Sequence, residues 1–184
     1  MNKRKAIFLD RDGTLNVEVA RVAAPEDLIL IEGIGEAVRR INVSDFLAIL
    51  VTNQAVIARG HCDRAMLRTI HAKLRETLRK SAAHLDAIYF CPHHPDFGPP
   101  CNCRKPKPAM LHAAANDFDI DLAKSWVIGD SAKDIQLARN AGTRCVLIRT
   151  GKAGSDIGTE GMHAQPDFVT GTLGEAVELI TGGS

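Results

Sequence analysis

Nothing in this 184-residue sequence approaches the ~18 consecutive apolar residues that a membrane-spanning helix requires. The first apolar run, Ala6–Leu9, stops at Asp10 and is too short for the core of a signal peptide. Charge of one sign is missing too: 23 basic and 22 acidic residues leave a formal net charge of +1. That balance removes the broad electrostatic reason to expect nucleic acid or a membrane surface as partner. A disulfide framework fits poorly, because five cysteines are an odd number and a cytoplasmic setting, the one expected here, keeps thiols reduced. There is no internal repeat and no sign of a second domain, so residues 1–184 are expected to form a single domain with a sizeable core.

What the chain does contain is short apolar runs alternating with helical patterns. Lys5–Leu9, Phe46–Val51, Ala87–Phe90, Ser125–Ile128 and Cys145–Ile148 read as buried strands. The clearest helix starts after Asp63, a suitable N-cap, and places Leu67, Ile70, Leu74 and Leu78 on one face. Further helices are expected over Ile34–Ile41, Pro108–Asp117 and Lys133–Ala141, the last stopped by Gly142, with LGEAVELI closing the chain. Thr150–Thr172, rich in glycine and polar residues, reads as a surface connector. Alternating strands and helices predict an α/β, Rossmann-like three-layer sandwich with a mostly parallel central sheet. Ligands of such sheets bind beyond the carboxyl ends of the strands.

Three of those ends carry chemistry. The first strand runs into DRDGTLN, which leans Asp10 and Asp12 to one side before Gly13 permits a tight turn. The second ends in VTNQ, bringing Thr52 and Asn53; the fourth ends in IGDSAKD, bringing Asp130 and Asp134. Carboxylates gathered with a hydroxyl and an amide suit a hard divalent cation that holds a phosphate. A second group lies in FCPHHPDFGPPCNCRKPKP, where Cys91-x-His93 and Cys101-x-Cys103 form two ligand pairs. Three thiolates and one imidazole make a closed tetrahedral Zn²⁺ site with no position left for an activated water, so the zinc expected at about 91–103 is structural. His94 is read as exposed, and as the alternative ligand to His93. The remaining histidines, Cys62 and Cys145 have no partner pattern, and Trp126 is read as core.

FLDRDGTLN, VTNQ, CRKPKP and IGDSAKD occur in the order and spacing of the four motifs of the haloacid dehalogenase-like phosphatases, spanning Phe8 to Asp134. The resemblance implies that fold, and the absence of a long insertion implies no separate cap domain. It further implies that Asp10 attacks phosphorus, that Asp12 moves protons as acid and then base, and that Thr52 and Lys105 bind the phosphoryl group. Mg²⁺ would then sit on Asp10, the Asp12 backbone carbonyl and Asp130, with Asp134 an orienting group. The zinc loop resembles that of the D-glycero-D-manno-heptose 1,7-bisphosphate phosphatases and the histidinol-phosphate phosphatases. TNQAVIARG is nearer to the heptose enzymes.

On that resemblance the expected substrate is a small sugar bisphosphate, held by Asn53, Gln54 and Arg104, with histidinol phosphate as the alternative and a DNA 3′-phosphate as a more distant one. The protein is expected to act as a cytoplasmic monomer, with neither nucleic acid nor membrane as partner. Three positions depart from the heptose pattern: Ala55-Val56 replaces Ser-Gly, Glu18–Arg21 replaces an aspartate-to-tyrosine segment, and Ser131 stands where lysine is common. A nucleic-acid-binding zinc module lacks support in so neutral a chain. A catalytically dead binding protein is hard to reconcile with intact Asp10, Asp12, Thr52, Lys105 and Asp130.

Overall fold

The computed structural model describes residues 3–159 and 162–182. Six strands, β1 (Lys5–Leu9), β2 (Phe46–Asn53), β3 (Ala87–Cys91), β4 (Trp126–Gly129), β5 (Arg144–Ile148) and β6 (Phe168–Thr170), form one sheet in the order β3-β2-β1-β4-β5-β6. Every pairing is parallel. Among the described residues five α-helices cover it: α1 (Ile34–Asn42), α2 (Arg64–Arg79), α3 (Ala109–Phe118), α4 (Ala132–Ala141) and α5 (Leu173–Thr181). Among the described residues no helix is long and apolar enough to cross a membrane, and no separate cap is evident.

Period-two alternation along the strands makes the two layers of core. Ile7 and Leu9 of β1, Ala48 and Leu50 of β2, and Val146 and Ile148 of β5 pack with α1, α2 and α5. Ala6 and Phe8, Leu47 and Ile49, and Cys145 and Leu147 pack with α3 and α4 on the other side. Because both faces are covered, the strands read as unbroken apolar runs rather than alternating ones. Asp63 caps α2 by accepting from the Met66 N–H at 2.7 Å, and Gly142 ends α4 in the left-handed region at φ +72°.

Two expectations need correction. The connector over residues 150–172 contains β6, an edge strand of three residues whose Phe168 and Val169 are exposed; too short and too solvated to show a burial pattern, it escapes sequence reading. Residues 160–161 of that connector lie outside the described residues. Pro108 stands one place before the first turn of α3, as its N-cap. The other elements fall within a residue or two of their expected bounds.

The strand order reverses direction at β1. The chain first builds outward from β1 to β2 and β3, then returns to place β4 on β1's other side. The residues that follow β1 and β4 therefore splay apart around a crevice at the carboxyl edge of the sheet.

Candidate active site

Asp10 follows β1 directly, and its N–H bonds the Ile128 carbonyl of β4 at 3.0 Å. Its Oδ1 receives the Arg11 N–H at 2.7 Å and the Lys105 ammonium at 2.8 Å. Lys105, itself buried, also bonds Asp134 Oδ1 at 2.6 Å. Asp134 is held in turn by the Ser131 hydroxyl at 2.6 Å on its other oxygen. Asp130 stands at the end of β4, its Oδ2 accepting from the Lys152 N–H at 2.6 Å.

The turn after β1 explains how these groups come so close. The Arg11 carbonyl accepts from the N–H groups of Thr14, Leu15 and Asn16, and Gly13 adopts φ +76° to make that possible. A methyl on Gly13 would collide with the Asp130 carboxylate; one on Gly151 would collide with the same carboxylate and with the Gly13 backbone. Two glycines back to back thus form the bed of Asp130. Thr150 fastens them by donating to the Gly13 carbonyl at 2.6 Å.

Three carboxylates, Asp10, Asp130 and Asp134, gather around the buried Lys105 ammonium. Burial, with Asp134 adding repulsion against the pull of Lys105, pushes Asp10 up to about 7. Burial and the Asp134 charge push Asp130 up to about 6. Burial opposes the Lys105 charge, but Asp10 and Asp134 outweigh it and hold the ammonium above its ordinary range.

Such an excess of hard, negative oxygens is the donor set of a divalent cation, and Asp10 and Asp130 fit one. Asp134 lies within the same group, yet its oxygens are bonded to Lys105 and Ser131, so it serves the lysine rather than a metal.

Asp12 differs from Asp10 and Asp130. Burial alone would raise it, but the Arg11 guanidinium, with Gln54 and Asn16 as further donors, holds its carboxyl below the usual range. Thr52 accepts from Gln54 Nε2 at 2.8 Å, and the same amide nitrogen reaches Asp12 Oδ2 at 2.9 Å. Asn53 grips the backbone of Lys105 from both sides, donating to its carbonyl at 3.2 Å and accepting from its N–H at 3.0 Å. The amides of Asn53 and Gln54 are therefore already engaged with the protein.

The second cluster hangs on the end of β3. Sγ of Cys91 lies 3.7 Å from that of Cys101 and 3.0 Å from that of Cys103, while His93 Nδ1 lies 3.3 Å from Cys103 Sγ. All four ligand atoms fall within 4.8 Å of one another. Metal–sulfur bonds of ~2.3 Å give tetrahedral edges of ~3.8 Å, so the set fits zinc, slightly contracted between Cys91 and Cys103. Arg104 is tied back onto the cluster by its bond to the His93 carbonyl at 3.0 Å. His94, expected to be exposed, is instead mostly shielded against Phe97 and Arg59.

The crevice has two chambers. An inner one of about 170 Å³ is lined by Asp10, Thr52, Lys105, Asp130, Lys133 and Lys152. An outer one of about 370 Å³ opens from Asp12 and Arg104 toward Arg21, Arg59, His61 and His94. Sequence reasoning missed Arg11, Thr150, Gly151 and Lys152. The T-G-K run after β5 held the only available signal, since a strand end at this edge of the sheet is where site residues gather.

Comparisons with known proteins agree with this geometry. A family model described as HAD-hydrolase-like matches residues 102–176. The D-glycero-D-manno-heptose-1,7-bisphosphate 7-phosphatase of Thermosynechococcus vestitus is 43% identical, over 96% of this chain and 95% of that protein. The D-glycero-beta-D-manno-heptose-1,7-bisphosphate 7-phosphatase of Escherichia coli is 42% identical, over 95% and 93%. Among solved structures, the D,D-heptose 1,7-bisphosphate phosphatase of B. bronchiseptica, complexed with magnesium and phosphate, superposes with a TM-score of 0.88 at 36% identity, over 98% of this chain and 99% of that one.

Proposed function

The chain belongs to the haloacid dehalogenase-like hydrolases, in the family of the heptose-1,7-bisphosphate 7-phosphatases, and from that premise we propose that it removes the 7-phosphate of D-glycero-D-manno-heptose 1,7-bisphosphate. One observation carries the proposal: Asp10 is buried at the β1/β4 crevice with Lys105 at 2.8 Å, where a phosphoryl group entering the inner chamber meets both.

The Asp10 carboxylate attacks phosphorus, the bond to the sugar oxygen breaks, and an aspartyl-phosphate forms. Asp12, on the rim shared by both chambers, gives its proton to the departing oxygen. It next takes a proton from the water that attacks the aspartyl-phosphate, releasing phosphate and restoring Asp10. In the free site the Arg11 guanidinium, with Gln54 and Asn16, holds the Asp12 carboxyl below its usual range, so Asp12 must take up a proton before the leaving oxygen departs.

Lys105 has three N–H donors and spends two on Asp10 and Asp134, which leaves one for a phosphoryl oxygen. Thr52 accepts from Gln54 and keeps its O–H to donate. Mg²⁺, held by Asp10, Asp130 and the Asp12 carbonyl, would supply positive charge to the phosphoryl oxygens. Zn²⁺ on Cys91, His93, Cys101 and Cys103 would hold the loop that carries Arg104 and Lys105.

The sugar and its second phosphate would occupy the outer chamber, whose rim offers the cations Arg21, Arg59 and Arg104. Nucleic acid and membrane are left out as partners, and residues 1–184 are taken as one phosphatase domain, acting as a cytoplasmic monomer. The test is phosphate release with Mg²⁺ from both anomers of heptose 1,7-bisphosphate, from histidinol phosphate and from a 3′-phosphorylated oligonucleotide. Heptose bisphosphate is expected to lead; a preference for either of the others overturns the substrate.

A further inference from the structure

Arg11 is the largest fully buried side chain among the described residues, with 1% of its surface exposed. A guanidinium loses a great deal of solvation there, a cost offset only by its pairing with a carboxylate. Its Nη1 makes no hydrogen bond to the described residues, which adds to the cost of burial. The remaining nitrogens all point one way. Nη2 bonds Asp12 Oδ1 at 2.8 Å and Oδ2 at 3.0 Å, and Nε bonds Oδ1 at 3.2 Å. Asn16 Nδ2 adds a contact to Oδ1 at 3.1 Å, and Gln54 Nε2 one to Oδ2 at 2.9 Å.

Asp12 is thereby locked between donors on its own turn and just beyond the end of β2, while 28% of its side chain remains open to the crevice. The backbone N–H of Arg11 also holds Asp10 Oδ1. One residue thus touches both carboxylates of the proposed reaction, Asp10 through its main chain and Asp12 through its side chain.

We infer that Arg11 is a positioning residue, whose buried guanidinium fixes the Asp12 carboxylate in the orientation from which it exchanges protons with the leaving oxygen and with water. The inference rests on the proton-transfer role given to Asp12 above. Without the guanidinium, Asn16 and Gln54 alone hold the Asp12 carboxylate, and misplacement by ~1 Å costs about 10²-fold in rate. Packing alone gives no reason for a guanidinium in place of a methionine at this position.

The experiment compares Arg11→Met, Arg11→Lys, Asp12→Asn and the double variant Arg11→Met/Asp12→Asn, using heptose 1,7-bisphosphate and p-nitrophenyl phosphate with Mg²⁺. Single-turnover phosphorylation of the enzyme, kcat, KM and thermal melting are the readouts. Arg11→Met is expected to melt lower than the parent, because Asp12 loses its partner, and the double variant, which removes both charges, to recover much of that loss. In Arg11→Met, KM stays within a few-fold and phosphorylation by the sugar phosphate slows about 10²-fold. Phosphorylation by the aryl phosphate, whose leaving group needs no proton, is expected to change less than tenfold. Arg11→Lys, which restores one charged donor, should recover part of the loss. The double variant should be no slower than Asp12→Asn alone, because the two residues act as a unit.

Equal losses on the two substrates, or a double variant slower than Asp12→Asn by the full Arg11→Met factor, overturns the inference about Arg11. Asp12→Asn with undiminished sugar-phosphate turnover overturns instead the proton-transfer role of Asp12, so the two failures are separable.

Discussion

The carboxylate cluster at the β1/β4 edge and the thiolate cluster after β3 differ in what balances their charge. In the first, the protein supplies much of the balance itself: Lys105 lies between Asp10 and Asp134, Ser131 and Lys152 donate to the acids, and glycines shape the bed. In the second, Cys91, Cys101, Cys103 and His93 contact chiefly one another. A site with its own counter-charge keeps its shape when the cation leaves. A site made of mutually facing thiols has no such reserve, so its metal and its fold stand or fall together.

The strongest way to break this comparison is Asp10→Asn. Removing the proposed nucleophile is expected to lower kcat by about 10⁴-fold or more, while metal analysis is expected to find one zinc per chain, as in the parent. Full retained activity would sink the aspartyl-phosphate route. Cys101→Ser should do the reverse in kind. Zinc is lost, the Pro92–Pro100 segment becomes a site of proteolytic nicking, and activity drops about 10²-fold as Lys105 loses its anchored loop. Stripping Mg²⁺ with a chelator should abolish activity without opening that segment, and added Mg²⁺ should restore it. A Cys101→Ser protein that is metal-free, uncleaved and fully active would remove the distinction between the clusters.

A finer test uses pH. Asp10 and Asp130, pushed up to about 7 and 6, carry protons in the metal-free protein that a cation must displace. Mg²⁺ affinity is expected to rise between pH 5 and about 7.5 and then level off, with proton release on binding seen by calorimetry in buffers of different ionisation heat. The same shifts bear on stability. A carboxyl raised in the folded state adds stability that is fully present below ~4 and is lost as pH rises through 6 to 7. Metal-free protein should therefore lose this contribution toward neutral pH, and Mg²⁺ should restore the lost stability. An affinity flat from pH 5 to 8 contradicts both shifts.

The smallest effect needs no metal. His71 of α2 packs edge-on to Phe90, and burial, helped by the nearby Arg11 charge, pushes it down to about 4. Its contribution is present above the unfolded value near 6.5 and is lost as pH falls toward 4, by up to about 3 kcal/mol. The slope runs opposite to that of Asp10 and Asp130. Denaturant unfolding of metal-free His71→Gln at several pH values should lack this component; a slope identical to the parent's shows that His71 does not titrate as described.

Much of this was legible before any coordinates. Asp63, Gly142 and the spacing of Leu67, Ile70, Leu74 and Leu78 announce their helices because caps and periodicity are local properties. Asp10, Asp12 and Asp130 could be placed at strand ends because the apolar runs before them are unambiguous. The C-x-H and C-x-C pairs signal a metal by residue type alone. β6 was hidden because three half-solvated residues carry no pattern. Asn53 and Gln54 read as substrate ligands; both line the crevice, and their amides also bond Lys105, Thr52 and Asp12. No rule of spacing tells which way an amide at a strand end will turn.

The sequence by itself determined the α/β alternation, the acids at the strand ends and the ligand pairs of the cysteine loop, since each depends on residues near in the chain. Tertiary structure alone decided that Gly151 would lie beneath Asp130, that Lys105 would sit between Asp10 and Asp134, and that Arg11 would be buried against Asp12. The first joins segments set side by side by the pairing of β4 with β5, and the second joins segments brought together only when β4 returns to the far side of β1. The third depends on whether packing leaves a cation in water or seals it beside its partner, and that is settled by the surrounding fold rather than by neighbours in sequence.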